Sequence, residues 1–279
     1  MDYKTILVHL DAGARRSERL ELSFALADRY DAHLVGLFAL GAMNLPSYVR
    51  PDASQLLVAE QARQRADAAS RAEAEFRTAA ARHGNVKAEW RVSHEDALEA
   101  MRVNARYSDL VVVGQRERDT ERETGIAPGF VDELVLSCPR PVLVVPYAGH
   151  FSGVGKRALV AWNASTEASG AVAGALPLLA SADRVNVVVF EAGSPGDHGE
   201  EPGADAALYL ARHGVKATVS RYLNPTIDIG SQILTRAADM SVDLIVMGAY
   251  GHSRLRELVL GGATRTLLES MTVPVLMSH

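Results

Sequence analysis

Along the chain, short unbroken apolar runs alternate with longer stretches in which apolar residues recur at helical spacing. Thr5-Ile6-Leu7-Val8-His9-Leu10 is the first such run. Its length and β-branched content are those of a strand buried on both faces of a parallel sheet. Asp11 closes the run, and Leu20, Leu22, Phe24, Ala25 and Leu26 then suit a helix over 17–30 packed on a sheet. The same alternation predicts strands over 33–40, 86–92, 108–114 and 141–146. Helices are expected over 53–83, as one or two pieces, over 94–105, and in a segment ending at Leu134-Val135-Leu136. Strands and helices in strict alternation call for β-α-β units with right-handed crossovers, and so for a doubly wound α/β fold.

After a glycine-rich stretch at 149–155, which reads as a linker, the plan starts again. Leu7-Val8 and Asp11 match Leu159-Val160 and Asn163 at an offset of 152 residues. Ala81-Arg82-His83-Gly84 matches Ala211-Arg212-His213-Gly214 at 130, Asp109-Leu110 and Gly114 match Asp243-Leu244 and Gly248 at 134, and Pro141-Val142-Leu143 matches Pro274-Val275-Leu276 at 133. Anchors in the same order at nearly constant offset are the mark of a duplication. The drop from 152 to 130 places 22 extra residues around the second helix of the first copy. Two domains are expected, over 1–148 and 155–279, in keeping with a prior of roughly 150 residues per domain.

Composition narrows the field. With 48% hydrophobic and 23% charged residues, the chain has the balance of a globular protein. A net charge of -5 gives no electrostatic reason to bind nucleic acid or acidic lipid. No apolar run approaches the ~18 residues of a membrane span, and the start of the chain lacks the long apolar core of a signal peptide, so a cytoplasmic location is expected. Cys138 is the single cysteine, which rules out an intrachain disulfide, and its apolar neighbours suit an inert buried thiol. The histidines fall in no metal-ligand spacing, so no metal site is expected in the protein itself.

The most informative stretch is 242–264. The strand-like Val242-Asp243-Leu244-Ile245-Val246-Met247 opens onto Gly248 and Gly251, nine residues follow, and then come Gly261-Gly262 and a helical pattern. Glycine permits left-handed backbone and close approach to a bulky group. Successive N–H groups there, with the start of a helix behind them, form a cradle for an anion. A tight turn that needs glycine for geometry alone is the competing reading.

This G-x2-G-x9-G spacing after a strand resembles the nucleotide loop of the universal stress protein family, and with the duplication the resemblance covers essentially the whole chain. It implies two tandem Rossmann-like domains of the adenine nucleotide alpha hydrolase type, each with a five-stranded parallel sheet of order 3-2-1-4-5. It further implies a loop that holds the phosphates of ATP, or of AMP or ADP, with magnesium where ATP is bound. The third glycine of the family loop is usually followed by Ser or Thr. Here that position is Gly262, and Thr264 is the nearest replacement hydroxyl.

In an open parallel sheet the ligand lies where the strand order reverses, beyond the carboxyl ends of strands one and four. Asn163 and Ala164 are therefore expected beside Gly248, Gly251, His252, Ser253, Arg254, Gly261, Gly262 and Thr264. Asn163 stands where the family has an acid. It suits either a ligand contact or a turn before a helix at Ser165. His252, Ser253 and Arg254 suit exposed loop residues as well as phosphate contacts. In the first copy Asp11 supplies the acid, but Gly114 has no glycine three residues on, so the cradle is expected only in the second copy.

The expected function is that of a stress-response protein binding an adenine nucleotide mainly in its C-terminal domain. The alternatives are an interaction module with empty crevices and a slow ATP hydrolase, for which no base is evident. The resemblance also implies pairing through the fifth strands, 141–146 with 274–277, within the chain, and leaves room for a further homodimer.

Overall fold

The computed structural model describes residues 2–41, 51–116, 126–191, 203–223, 227–251 and 262–279. In the first half, strands β1 (Thr5–Leu10), β2 (His33–Ala39), β3 (Ala88–Ser93), β4 (Leu110–Gly114) and β5 (Val142–Val145) alternate with helices α1 (Arg16–Tyr30), α2 (Pro51–Arg82), α3 (Ala97–Ala105) and α4 (Phe130–Ser137). The second half repeats this with β6 (Arg157–Trp162), β7 (Arg184–Glu191), β8 (Ala217–Leu223), β9 (Leu244–Gly248) and β10 (Val275–Ser278). Its helices are α5 (Thr166–Ala180), α6 (Ala204–Arg212), α7 (Ile229–Asp239) and α8 (Gly262–Ser270).

All ten strands form one sheet in the order β3-β2-β1-β4-β5-β10-β9-β6-β7-β8. Within each half every pairing is parallel and the order is 3-2-1-4-5. The halves meet at an antiparallel seam, where Val142, Leu143 and Val144 face Met277, Leu276 and Val275. The fifth strands thus shelter each other's edges, and β3 and β8 close the two ends of the sheet.

Strands buried on both faces dictate a three-layer build. Ile6, Val8 and Leu10 of β1 point to one side, where α1, α2, α5 and α6 supply Phe24, Phe76, Leu178 and Leu210. Leu7 points to the other, where α3, α4, α7 and α8 supply Met101, Leu134, Ile233 and Leu267. Each of these two cores runs through both halves, so neither half has a core of its own.

Polar contacts repeat with the duplication. The Asp109 carboxylate accepts from the N–H groups of Lys4 and Thr5 at 2.8 and 2.9 Å, and Asp243 accepts likewise from Gly155, Lys156 and Arg157 at 2.9–3.1 Å. Each aspartate ties strand one of its half to strand four at the end opposite the crevice. Further bonds cross between halves. Tyr3 donates its hydroxyl proton to the Gly174 carbonyl at 2.7 Å, Tyr30 to that of Pro177 at 3.1 Å, and Arg29 Nη2 to that of Ser181 at 3.4 Å.

The long pattern over 53–83 is a single helix, α2, and α3 starts three residues later than expected, at Ala97. The shift in α3 has a local cause: Asp96 caps the helix by accepting from Glu99 N–H at 3.0 Å, which places His94 and Glu95 outside it.

Candidate functional site

In the second half, β6 runs into Asn163-Ala164-Ser165 and then α5. The Asn163 side-chain oxygen accepts from Ser165 N–H at 3.2 Å, closing an Asx turn, and Ala164 takes the left-handed conformation with φ 57°. Ser165 is the N-cap, with its hydroxyl oxygen accepting from Ala168 N–H at 3.1 Å. Asn163 thus forms the turn before the helix, and it is exposed.

Strand β9 ends against this cap. A Cβ on Gly248 would collide with the backbone nitrogen of Ala168 and lie 2.7 Å from the carbonyl carbon of Glu167. Only glycine lets the first turn of α5 approach this closely. A Cβ on Gly251 would lie 3.0 Å from a Glu167 carboxylate oxygen and 3.3 Å from the Ser165 hydroxyl. The first two loop glycines, the cap and the Asx turn thus meet at the carboxyl end of the sheet. Glu167 brings to that point a carboxylate with no ion-pair or hydrogen-bond partner among the described residues.

Between the glycines, Ala249 N–H donates to the Ser278 carbonyl at 2.9 Å, and Tyr250 takes φ 58°. Tyr250 N–H donates to the Thr264 hydroxyl oxygen at 3.3 Å. Thr264 is only 3% exposed, so this hydroxyl braces the turn from within rather than projecting toward a ligand. Gly262, by contrast, starts α8 in open space, with nothing within 4 Å of where a Cβ would be. His252, Ser253, Arg254 and Gly261 lie outside the described residues.

The first half uses the equivalent crevice differently. It forms an open cleft lined by His9, Asp11, Arg19, Gly114 and Gln115, among others. Arg19 is 4% exposed and its Nη2 donates to an Asp11 carboxylate oxygen at 2.7 Å, while the other carboxylate oxygen accepts from Gly13 N–H at 2.7 Å. Burial alone would raise the Asp11 pKa. The Arg19 guanidinium, aided by His9 and the Gly13 N–H, outweighs it and holds the carboxyl below its ordinary range. Asp11 therefore stands in the crevice with both oxygens already engaged. Burial pushes the His9 pKa down to about 4, against the opposing pull of Asp11, and its ring packs on Phe130 at 4.9 Å between centroids. Gly114 meets the Arg19 guanidinium where Gly248 meets helix backbone.

The strand-order rule and the glycine spacing pointed to Asn163, Ala164, Gly248, Gly251 and Thr264, which the structure brings together at the carboxyl end of the sheet, with Gly262 at the start of α8. They did not reveal Glu167, Tyr250 or Arg19. Glu167 had one signal, its place in the first turn after an N-cap serine that follows strand one, four residues beyond Asn163. Among the described residues no group of three or more His, Cys, Asp or Glu side chains is placed to hold a metal, and no helix is long and apolar enough to cross a membrane.

Comparison with known proteins agrees with this architecture. The model of the universal stress protein family matches residues 2–146 and again 155–279. Universal stress protein Slr1230 of Synechocystis sp. is 27% identical over 173 residues, covering 60% of this chain. The match spans 57% of that relative's length. Among solved structures, a universal stress protein from Archaeoglobus fulgidus superposes with a TM-score of 0.72 at 15% identity, covering 98% of this chain and 94% of the other. A putative universal stress protein from Pseudomonas aeruginosa does so with a TM-score of 0.62 at 15% identity, covering 98% and 92%. At that identity the two structures speak for the fold alone.

Proposed function

The chain belongs to the universal stress protein family, with one copy of the domain in each half, and from that premise we propose that it binds an adenine nucleotide in the crevice of the second half. The observation that carries the reading is the convergence of Gly248 and Gly251 on the capped start of α5, which leaves backbone without side chains at the point where strand order reverses. A phosphate chain can approach such backbone closely; with the Ala249 and Tyr250 N–H groups already bonded, the donors it needs are the Gly251 N–H and those at the start of α8. The exposed Asn163 amide is a side-chain donor available to the ribose or base, and His252, Ser253, Arg254 and Gly261 complete the loop in sequence.

ATP is the ligand favoured by Glu167. An unpaired carboxylate beside Gly251 repels a bare phosphate, but magnesium accepts one or two carboxylates together with phosphate oxygens. Glu167, with the Ser165 hydroxyl beside it, is the group that would hold such an ion once the nucleotide brings it. The ion supplies charge neutralisation between the carboxylate and the phosphates. In the first half Arg19 takes up the floor of the crevice, so the reading assigns the nucleotide to the second half alone.

Calorimetric titration of the full chain with ATP, with and without magnesium, tests this. Saturable binding that needs magnesium is expected in the wild type. Gly251→Val should abolish it, because the new side chain would run into Glu167 and Ser165. Glu167→Gln should bind ATP with little dependence on magnesium. Wild-type protein that ignores adenine nucleotides, or a Gly251→Val variant that binds them normally, would refute the assignment.

A further inference from the structure

Tyr250 stands between the two loop glycines of the second half, yet its hydroxyl is bonded to the first half. It donates to an Asp132 carboxylate oxygen at 2.6 Å, across 118 residues of sequence. The short distance is that of a charge-assisted bond, about twice as strong as one between neutral groups. Asp132 lies in the first turn of α4, and Phe130, Val131, Leu134 and Val135 bury that helix in the core. The acceptor is therefore anchored.

The tyrosine it holds is in an unusual state. Its φ of 58° is a conformation that bulky side chains seldom adopt, and one that persists where the surroundings enforce it. Here the enforcement comes from two sides, the Asp132 carboxylate at the hydroxyl and the Thr264 hydroxyl at the backbone N–H. A turn fixed in this way sets the path of the chain from Gly248 to Gly251.

The far side of the loop is tied to the same half. The Gln115 amide NH2 donates to the Leu268 carbonyl of α8 at 2.9 Å, and the Gln115 side-chain oxygen accepts from Tyr147 N–H at 3.1 Å. Gln115 is buried and follows β4 directly. First-half groups thus hold both the turn that enters the loop and the helix that leaves it.

This support runs in one direction. By the offsets of the duplication, the counterpart of Tyr250 is Arg116 and that of Asp132 is Arg265. Two cations cannot form the bond with each other, so the second half does not return it.

We propose that the first half serves as a positioning scaffold for the nucleotide loop of the second, with Asp132 acting through Tyr250. The inference rests on the nucleotide reading given above, but its structural part stands apart from it. Asp132 and Tyr250 are positioning residues, since their bond orders the turn before any ligand arrives.

The test uses the full chain as wild type, Tyr250→Phe, Asp132→Leu, Asp132→Asn, and the Tyr250→Phe/Asp132→Leu pair. Amide hydrogen exchange at Ala249, Tyr250 and Gly251 in nucleotide-free protein reads the order of the turn. Titration with magnesium-ATP reads the consequence. Tyr250→Phe and Asp132→Leu are each expected to speed exchange at these amides and to weaken ATP binding by about ten-fold, the size of one charge-assisted bond. Asp132→Asn keeps a neutral acceptor and should stay within about three-fold of wild type, and the pair should lose no more than either single change. A bond that merely joins the halves would lower the melting temperature and leave affinity and exchange as they were, which overturns the proposal. If the wild type binds no nucleotide, the assignment of the ligand fails, and the exchange arm alone decides: unchanged exchange in Tyr250→Phe then overturns the positioning role as well.

Discussion

Arg19 and Ala171 occupy matching places in the two halves, by the offset of 152 that also relates Asp11 to Asn163. A guanidinium in one half and a methyl group in the other account for much of the difference between the crevices. Arg19 brings a buried ion pair with Asp11 and fills the space over Gly114. The alanine lets α5 close down until its backbone touches Gly248. None of this was legible beforehand, because the direction of an arginine on α1 depends on what packs against it. The matched pair Asp11 and Asn163 was visible, but its meaning depended on the residue eight positions later.

His9, in the same cleft, gives a prediction at this scale. Its pKa is about 4 in the folded protein against 6.5 ordinarily, so between these values the unfolded chain binds a proton that the folded chain does not. Stability should therefore rise with pH across this window, and fall by about 3 kcal/mol as the pH drops from about 6.5 to about 4. Asp11 acts in the same direction at lower pH, its contribution being lost as the pH falls through its depressed pKa. Urea unfolding of wild type and His9→Gln at a series of pH values checks this. The difference between the two curves should carry that slope and level off to a constant above pH 7.

At the level of elements, the apolar runs placed the strands well, because a strand buried on both faces can hardly be anything but an apolar run. Ends were less legible where a cap decided them, as Asp96 does for α3. Helix α8 illustrates how an element and a site residue interact. It starts at Gly262, where a side chain would meet only open space, so the missing hydroxyl reflects no steric need. Gly262→Ser should therefore be accepted without loss of stability. It should also improve the start of α8, since serine is a better helix former than glycine. On the nucleotide reading it should tighten ATP binding by about ten-fold, the low end of the value of one added hydrogen bond to a charged group. Titration of the variant beside the wild type measures it. Thr264 cannot stand in for that hydroxyl, because it is turned inward to Tyr250.

For the whole molecule, the duplication could be read from matched anchors, whereas the pairing of fifth strands was implied by the family resemblance. The contacts that make the halves unequal, Glu167 with Gly251 and Tyr250 with Asp132, could not, since they join segments far apart in sequence whose approach is set by packing. Cores that run through both halves, and a sheet continuous across the seam, imply joint unfolding. The two tryptophans provide a separate probe for each half, Trp90 on β3 and Trp162 on β6. Fluorescence of Trp90→Phe and Trp162→Phe variants in urea should follow transitions that share a single midpoint once each variant's stability is matched by circular dichroism. Two separated midpoints would mean that each half folds alone.

The antiparallel seam has a consequence for how such a protein can change. Two identical subunits joined across β5 and β10 would share every substitution, so that any alteration to one crevice would be imposed on its mate. Covalent linkage of the two copies lifts that constraint while keeping the same junction. Each copy can then drift under its own selection, with its companion always present in a one-to-one ratio and never lost by dilution.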